Sequence, residues 1–308
     1  MISIITPTNK LMRYMDTTVD SVMAQTYDDF EWVILDNSVD GYVAPYLERY
    51  FDRNPQYKDR ADKIRVYREN AVGKPIGYYK NVCVELTSCS DDEYVLIFDH
   101  DDIMATTTLE DIAFCDLKFG HGIDWITGDS VIAQCNTTKD NVAFINPTWV
   151  EDDRRHGLVS AVADNIKCGK TVMNGVPVAR MTCIDYRYYV GRVESHPRAI
   201  RKHWLKTPLL SFYEESAIEE DALHITLPPM LLEIGYIERP TIIYMVYTED
   251  GRNFTNYSKR GMPTIKDSDI SKTILDARNI MFEGFRQLYG LENCHRDLKV
   301  YREFPEIG

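Results

Sequence analysis

Apolar and polar positions run in two alternating rhythms over the first hundred residues. A short β-branched run, ISIIT, precedes apolar residues at Met12, Met15, Val19, Val22 and Met23, which recur close to helical spacing. FEWVILDNS then reads as a strand ending in polar residues, followed by a helix expected around residues 43–51. KIRVYREN is a third strand, PIGYYKNVCVELTS a helix and YVLIFDHDD a fourth strand. Strand and helix alternating at this spacing imply right-handed βαβ units and a mainly parallel central sheet, an α/β fold.

Past Asp102 the rhythm loosens. TLEDIAFCDLKF reads as a helix, and DWITGDSVIA and VAFINPTW as strands. HPRAIRKHWLKTPLL should contain a short helix, and residues 217–227 can be helical up to the break at Pro228-Pro229. RPTIIYMVYTED is β-rich, and ISKTILDARNIMFEGFRQLYG reads as a long amphipathic helix, a packing brace rather than a catalytic element. No internal repeat or low-complexity linker interrupts the chain.

The strand ends carry the chemistry. In open α/β sheets, ligands bind beyond the carboxyl ends of the strands. The residues expected there are Thr6-Pro7-Thr8-Asn9, Asp36-Asn37-Ser38 and Asp99-His100-Asp101-Asp102, and the loop after Glu69-Asn70 adds Lys74. Two readings of the acidic cluster stand at this point. Asp99 and Asp101 suit a hard divalent cation, which prefers carboxylate oxygens and completes its shell with substrate phosphates. An acidic turn, with Asp102 capping the next helix, would explain the same residues without a ligand. Asp36 likewise fits either a contact to a base or ribose or a strand-ending Asx-turn. AVGKPIGYYKN matches neither GxxxxGK[ST] nor GxGxxG.

Composition narrows the classes. The 308 residues are 44% hydrophobic, ordinary for a globular chain, with no apolar run long enough for a membrane span and no basic leader at the start. Cys83, Cys89, Cys115, Cys135, Cys168, Cys183 and Cys294 are scattered without a CxxC pair, which argues for reduced thiols and a cytoplasmic location. A formal net charge of -13 disfavours bulk attraction to nucleic acid or anionic lipid. Against that background Arg192, Arg198, Arg201, Lys202, His203 and Lys206 form a local basic segment. It can be a solvated helix face, supply one arginine to a diphosphate, or guide an anionic acceptor.

Taken in order, TPTN, WVILDNSVDG, GKPIGYYKN, IFDHDD, HPRAIRKHWL, EEDALHITL and GRNFTN resemble the inverting family 2 glycosyltransferases, over roughly residues 2–258. The resemblance implies a GT-A (Rossmann-like) three-layer fold with a helical C-terminal extension. Residues 1–125 would be the nucleotide-sugar-binding half, 126–250 the acceptor-binding and catalytic half, and 251–308 the extension. It further implies that Asp101, with Asp99, ligates Mn²⁺ or Mg²⁺ on the donor diphosphate, Asp99 also lying near the ribose. Thr6, Pro7, Thr8 and Asp36 match nucleoside-binding positions, Lys80 stands where the family often has Arg, and Asp221, beside Glu220, matches the general base. The C-terminal loop lacks the family's frequent His, and Arg252 is its candidate for charge compensation.

The implied activity is metal-dependent transfer of a sugar from a nucleoside-diphosphate donor, UDP-linked by preference, to a hydroxyl acceptor. A glycan acceptor is favoured over DNA or a lipid-linked sugar. Two alternatives are a nucleotidyltransferase, opposed by the absence of glycine from TPTNKLMRYMD, and a catalytically silent nucleotide-sugar-binding protein. Sugar, acceptor and oligomeric state leave no mark in the sequence.

Overall fold

The computed structural model describes residues 1–9, 15–70, 73–136, 141–143, 171–173, 176–181, 197–207, 210–212, 232–249 and 252–253. Its strands are β1 (Ile2–Thr8), β2 (Phe30–Asp36), β3 (Ile64–Arg68), β4 (Tyr94–Ile97), β5 (Ile103–Met104), β6 (Trp125–Asn136), β7 (Asn141–Ala143), β8 (Thr171–Met173), β9 (Val176–Met181), β10 (Arg198–Arg201), β11 (Ile234–Glu249) and β12 (Arg252–Asn253). The helices are α1 (Met15–Met23), α2 (Val43–Arg53), α3 (Ile76–Leu86), α4 (Thr108–Lys118) and α5 (Lys202–Leu205).

All the strands join one sheet, ordered β3-β2-β1-β4-β10-β6-β11-β9-β8 along its main path. The first four are parallel, as the βαβ pattern requires. β10 lies antiparallel to both β4 and β6, so the sheet is mixed beyond β4. β6 and β11 are parallel over most of their length, with a register shift around Pro240. The expected boundary between residues 125 and 126 falls inside β6, and both halves share this sheet. Arg252 and Asn253, at the head of the expected C-terminal extension, also belong to it.

Every residue of β1 and β2 is buried, the signature of central strands covered on both faces. On one face Ile2, Ile4, Trp32, Ile34, Leu96 and Phe98 pack against α1, α2 and α4. On the other, Ile5, Val33, Leu35, Val95 and Ile97 meet α3 and Leu205 of α5. These are the three layers that the resemblance implied. Tyr46 and Tyr50 of α2 donate to Asp16 and Asp20 of α1, a ladder with the same four-residue step on both helices.

One expectation needs correction, and two elements went unread. A 3₁₀ helix fills Pro55–Lys63, where polar composition gave no apolar period to read. Asp102 does not cap the following helix. β5 intervenes, pairing Ile103 and Met104 with Ile243 and Ile242 of β11, and α4 begins at Thr108 after Thr107. HPRAIRKHWLKTPLL contains the expected short helix, α5, and the unread element is β10 before it, whose Ala199 and Ile200 face opposite cores. The helices expected over 217–227 and in the last fifty residues lie outside the described residues.

Candidate active site

The carboxyl ends of β1, β2 and β4 form one rim. β1 supplies Thr6, Pro7 and Thr8, and its pairing with β4 stops at Ile5, whose carbonyl accepts from Phe98 N–H at 3.1 Å. Pro7 follows that last partner, so its missing N–H costs no ladder bond on the β4 side. Thr6 is wholly buried. Its hydroxyl donates to Phe98 O at 2.7 Å and accepts from Trp32 Nε1 at 2.9 Å, tying the acidic segment to the two central strands. Thr8 Oγ1 lies 2.8 Å from the Tyr42 hydroxyl. Burial pushes that phenol up to about 12, with the Asp36 charge adding and the Thr8 bond opposing.

Asp36, at the end of β2, is 2% exposed. Its Oδ1 accepts from Ser38 N–H at 3.0 Å and from the Ser38 hydroxyl, and its Oδ2 accepts from Val43 N–H at 3.0 Å. It therefore closes an Asx-turn and supplies an acceptor to the first turn of α2, which Tyr42 leaves without a side-chain cap. The loop between is held by Arg68, which donates to Val39 O at 2.6 Å and to Ser38 O at 3.4 Å. Gly41 has φ +67°, and a Cβ there would meet the Arg68 guanidinium. Asn37 N–H donates to Thr8 O and Glu69 N–H to Asp36 O, both at 3.0 Å, locking the ends of β1, β2 and β3 together.

After β4 the chain turns at residues 99–102, with Asp102 N–H donating to Asp99 O at 3.3 Å. Asp99, His100 and Asp101 are partly exposed and Asp102 is buried. The segment that follows is stitched from two sides. Met104 N–H donates to Ser21 Oγ, Gln25 Nε2 to Ala105 O, and Leu109 N–H to Gln25 Oε1. From the sheet, Thr241 O accepts from Ala105 N–H at 2.8 Å and from Thr108 Oγ1 at 2.7 Å. Sequence reading missed Ser21 and Gln25, which hold this segment in place; the polar residues late in α1 were their only signal.

The turn offers carboxylates to the rim while its flanks are fixed. Among the described residues no group of three or more His, Cys, Asp or Glu is placed to hold a metal ion. A cation here would take carboxylates from the turn and its remaining ligands from elsewhere, which fits Mg²⁺ or Mn²⁺ on a diphosphate.

Other expected site residues are placed differently. Lys80 is 1% exposed on α3, its ammonium 5.5 Å from the centre of the Phe212 ring, inside the α3 face rather than at the surface. Next to it, Asn81 grips the same residue: Nδ2 donates to Phe212 O and Phe212 N–H donates to Oδ1, each at 2.8 Å. Arg252 pairs with Glu249 at the end of β11, six residues beyond Ile243, which pairs with Ile103 after the turn. Glu220 and Asp221 lie outside the described residues.

Over its described part the basic segment is largely built into the fold, with Lys206 exposed. β10 runs against β4, so Arg198 pairs with Ile97 at the rim and Arg201 with Tyr94 at the opposite end. Arg201 donates to Ile123 O at 2.7 Å and to both Asp116 Oδ1 and His121 O at 2.8 Å. Lys202 Nζ donates to Thr87 O and Cys89 O, and Lys206 pairs with Asp91 at 3.0 Å. These cations are consumed by carbonyls and carboxylates at the foot of the sheet.

Residues 3–114 match the family model described as glycosyl transferase family 2. Among solved structures, S. aureus TarS is similar in fold, at TM-score 0.52 and 20% identity, over 80% of this chain and 36% of that one. The form "TarS 1-349" in complex with UDP-GlcNAc gives TM-score 0.53 and 19% identity, over 83% of this chain and 60% of that one. A complex of the same form with UDP gives 0.51 and 20%, again over 60% of that chain. The chain thus spans less than two thirds of each of these structures, and at such identity the likeness is one of fold. No curated protein matches the sequence.

Proposed function

Residues 3–114 belong to glycosyl transferase family 2, and from that premise we propose that the chain transfers a sugar from a nucleoside-diphosphate donor to a hydroxyl acceptor. The observation that carries the reading is the acidic turn at the end of β4, tied at its start to β1 by Thr6 and followed by a segment that Ser21, Gln25 and Thr241 fix. A UDP-linked donor is preferred because the similar fold of S. aureus TarS is seen with UDP and with UDP-GlcNAc.

Asp101 and Asp99 would hold Mg²⁺ or Mn²⁺, which when bound neutralises charge growing on the departing diphosphate. The β1 and β2 ends, through Thr8, the Asp36 loop and their neighbours, orient the nucleoside. Thr6 acts one step back, by fixing Phe98 and hence the start of the turn. Asp221, with Glu220 beside it, is the proposed base that takes the acceptor's proton as its oxygen attacks, and a single displacement inverts the anomeric centre. Arg252 is the proposed source of charge compensation from the C-terminal loop. Residues 1–125 serve the donor, 126–250 the acceptor, and 251–308 extend the fold. The working location is cytoplasmic, and no helix among the described residues is long and apolar enough to cross a membrane.

The test is a panel of nucleotide sugars with water as acceptor, reading nucleoside diphosphate release. Release from a UDP-sugar with Mn²⁺, lost in excess chelator, is the expected result. Release unaffected by chelator would remove the metal, and no release from any donor would remove the transferase reading.

A further inference from the structure

We infer that Ser21, on α1, is a positioning residue for the acidic turn and sets how tightly that turn holds a divalent cation, an inference that rests on the metal and donor reading above. The turn is held at both ends, by different elements. At its start, Phe98 N–H donates to Ile5 O at 3.1 Å and the Thr6 hydroxyl donates to Phe98 O at 2.7 Å, so β1 fixes the residue before Asp99. At its end, Met104 N–H donates at 3.1 Å to the Ser21 hydroxyl, so α1 holds β5 from the side opposite its pairing with β11. Residues 99–103 lie between these two ties, Asp99 and Asp101 among them.

Ser21 is 7% exposed, and its single proton goes to Thr18 O at 2.7 Å. That bond sets the hydroxyl's direction and leaves its lone pairs for Met104. A back-bond of this kind does not strengthen a helix, so the contact outward to Met104 is the one with a consequence. Gln25, a turn later, has a separate task. Its Nε2 donates to Ser21 O and Ala105 O and its Oε1 accepts from Leu109 N–H, which docks α1 on the chain beyond the turn. Thr26 N–H adds a bond to Thr106 O at 2.8 Å. Loss of the Ser21 hydroxyl therefore frees one end of the turn while α1 stays docked.

A cation shared by two carboxylates of one turn needs both aimed at it together. With both ends tied, the turn meets the cation already ordered. With one end loose, binding must order it, and affinity falls by that cost.

The experiment is calorimetric titration of the full chain with UDP over a series of Mn²⁺ concentrations, reading the Mn²⁺ concentration that half-restores UDP binding. Wild type and Ser21→Ala are compared, together with the isosteric pair Ser21→Thr and Ser21→Val, and the ligand-free melting temperature of each is measured. The Mn²⁺ midpoint should rise about fivefold in Ser21→Ala. It should be lower in Ser21→Thr, which keeps the hydroxyl, than in Ser21→Val, a comparison in which the added bulk is the same. An unchanged midpoint in Ser21→Ala overturns the inference, as do equal midpoints in the isosteric pair. So does a lowered melting temperature with the midpoint retained, which would leave Ser21 a part of the fold alone. If wild type binds UDP without regard to Mn²⁺, the metal reading fails and Ser21 falls with it. If it binds UDP at no Mn²⁺ concentration, the donor reading fails, a result distinct from the others.

Discussion

Asp36 and Asn37 are neighbours whose side chains are in opposite states, and only one of those states was legible in the sequence. An Asp-Asn-Ser end to a strand already pointed to an Asx-turn, because the Ser38 contacts are local. The third bond, to Val43 N–H, depends on where α2 begins, and Asn37's lack of a partner depends on the packing of three strand ends. Neither is a matter of spacing. Gly41 is similar: a glycine after Val-Asp suggests a turn, but not that Arg68 crosses over it. Gly41→Ala should destabilise the fold by about 1–3 kcal/mol, from the positive φ and the displaced guanidinium together. Urea midpoints check it, and in an Arg68→Ala background the cost should shrink, since only the φ strain remains. Asp101 tests the rim directly. Asp101→Asn should lower Mn²⁺-dependent donor hydrolysis about 10²-fold or more while stability moves by less than about 1 kcal/mol. Parallel loss of melting temperature would assign Asp101 to the fold instead.

Elements were legible where one rhythm dominated. β1, α1, β2, α2, β3, α3 and β4 follow the alternation of apolar positions closely. β10 and α5 were not separable, because RAIRKHWL mixes buried cations with apolar residues and charge reads as surface. The buried state of Arg201 and Lys202 follows from a direction of travel, antiparallel to β4, that no local pattern reports. Pairing across α3 is equally nonlocal. Asn81 serves both backbone groups of Phe212, so Asn81→Ala leaves an N–H and a carbonyl to find other partners. We expect a loss of about 1–3 kcal/mol, read by urea unfolding, with Asn81→Asp losing less because it keeps the acceptor for Phe212 N–H.

At the scale of the whole molecule, the sheet has a chemically active rim and a stapled foot. Glu31 is central to the foot, accepting from the Ser3 hydroxyl, from Ser88 N–H at 2.6 Å, from the Ser88 hydroxyl at 2.8 Å and from Arg65. Burial pushes its pKa up, but the Ser3 and Ser88 bonds and the Arg65 charge outweigh it, leaving the group below its usual 4.5. A carboxylate depressed on folding adds stability above its unfolded value and loses it as pH falls through the folded one. Wild type should therefore lose more stability than Glu31→Gln as pH falls below the group's usual 4.5, measured as the shift in urea midpoint. An equal loss in the two proteins would mean Glu31 is not a linkage site. The antiparallel β10 has a further consequence, in time rather than space. β4 is complete at Ile97, yet the strand that covers its outer edge begins at Arg198. A ribosome adding 5–20 residues per second needs roughly 5–20 s to make the intervening stretch of about 100 residues. Throughout that interval the nascent chain carries a buried-type strand, Tyr94-Val95-Leu96-Ile97, with one edge unpaired, the kind of template on which chains cross-associate. Synthesis rate and chaperone access in that window, more than final stability, should govern how much of this protein reaches its native state.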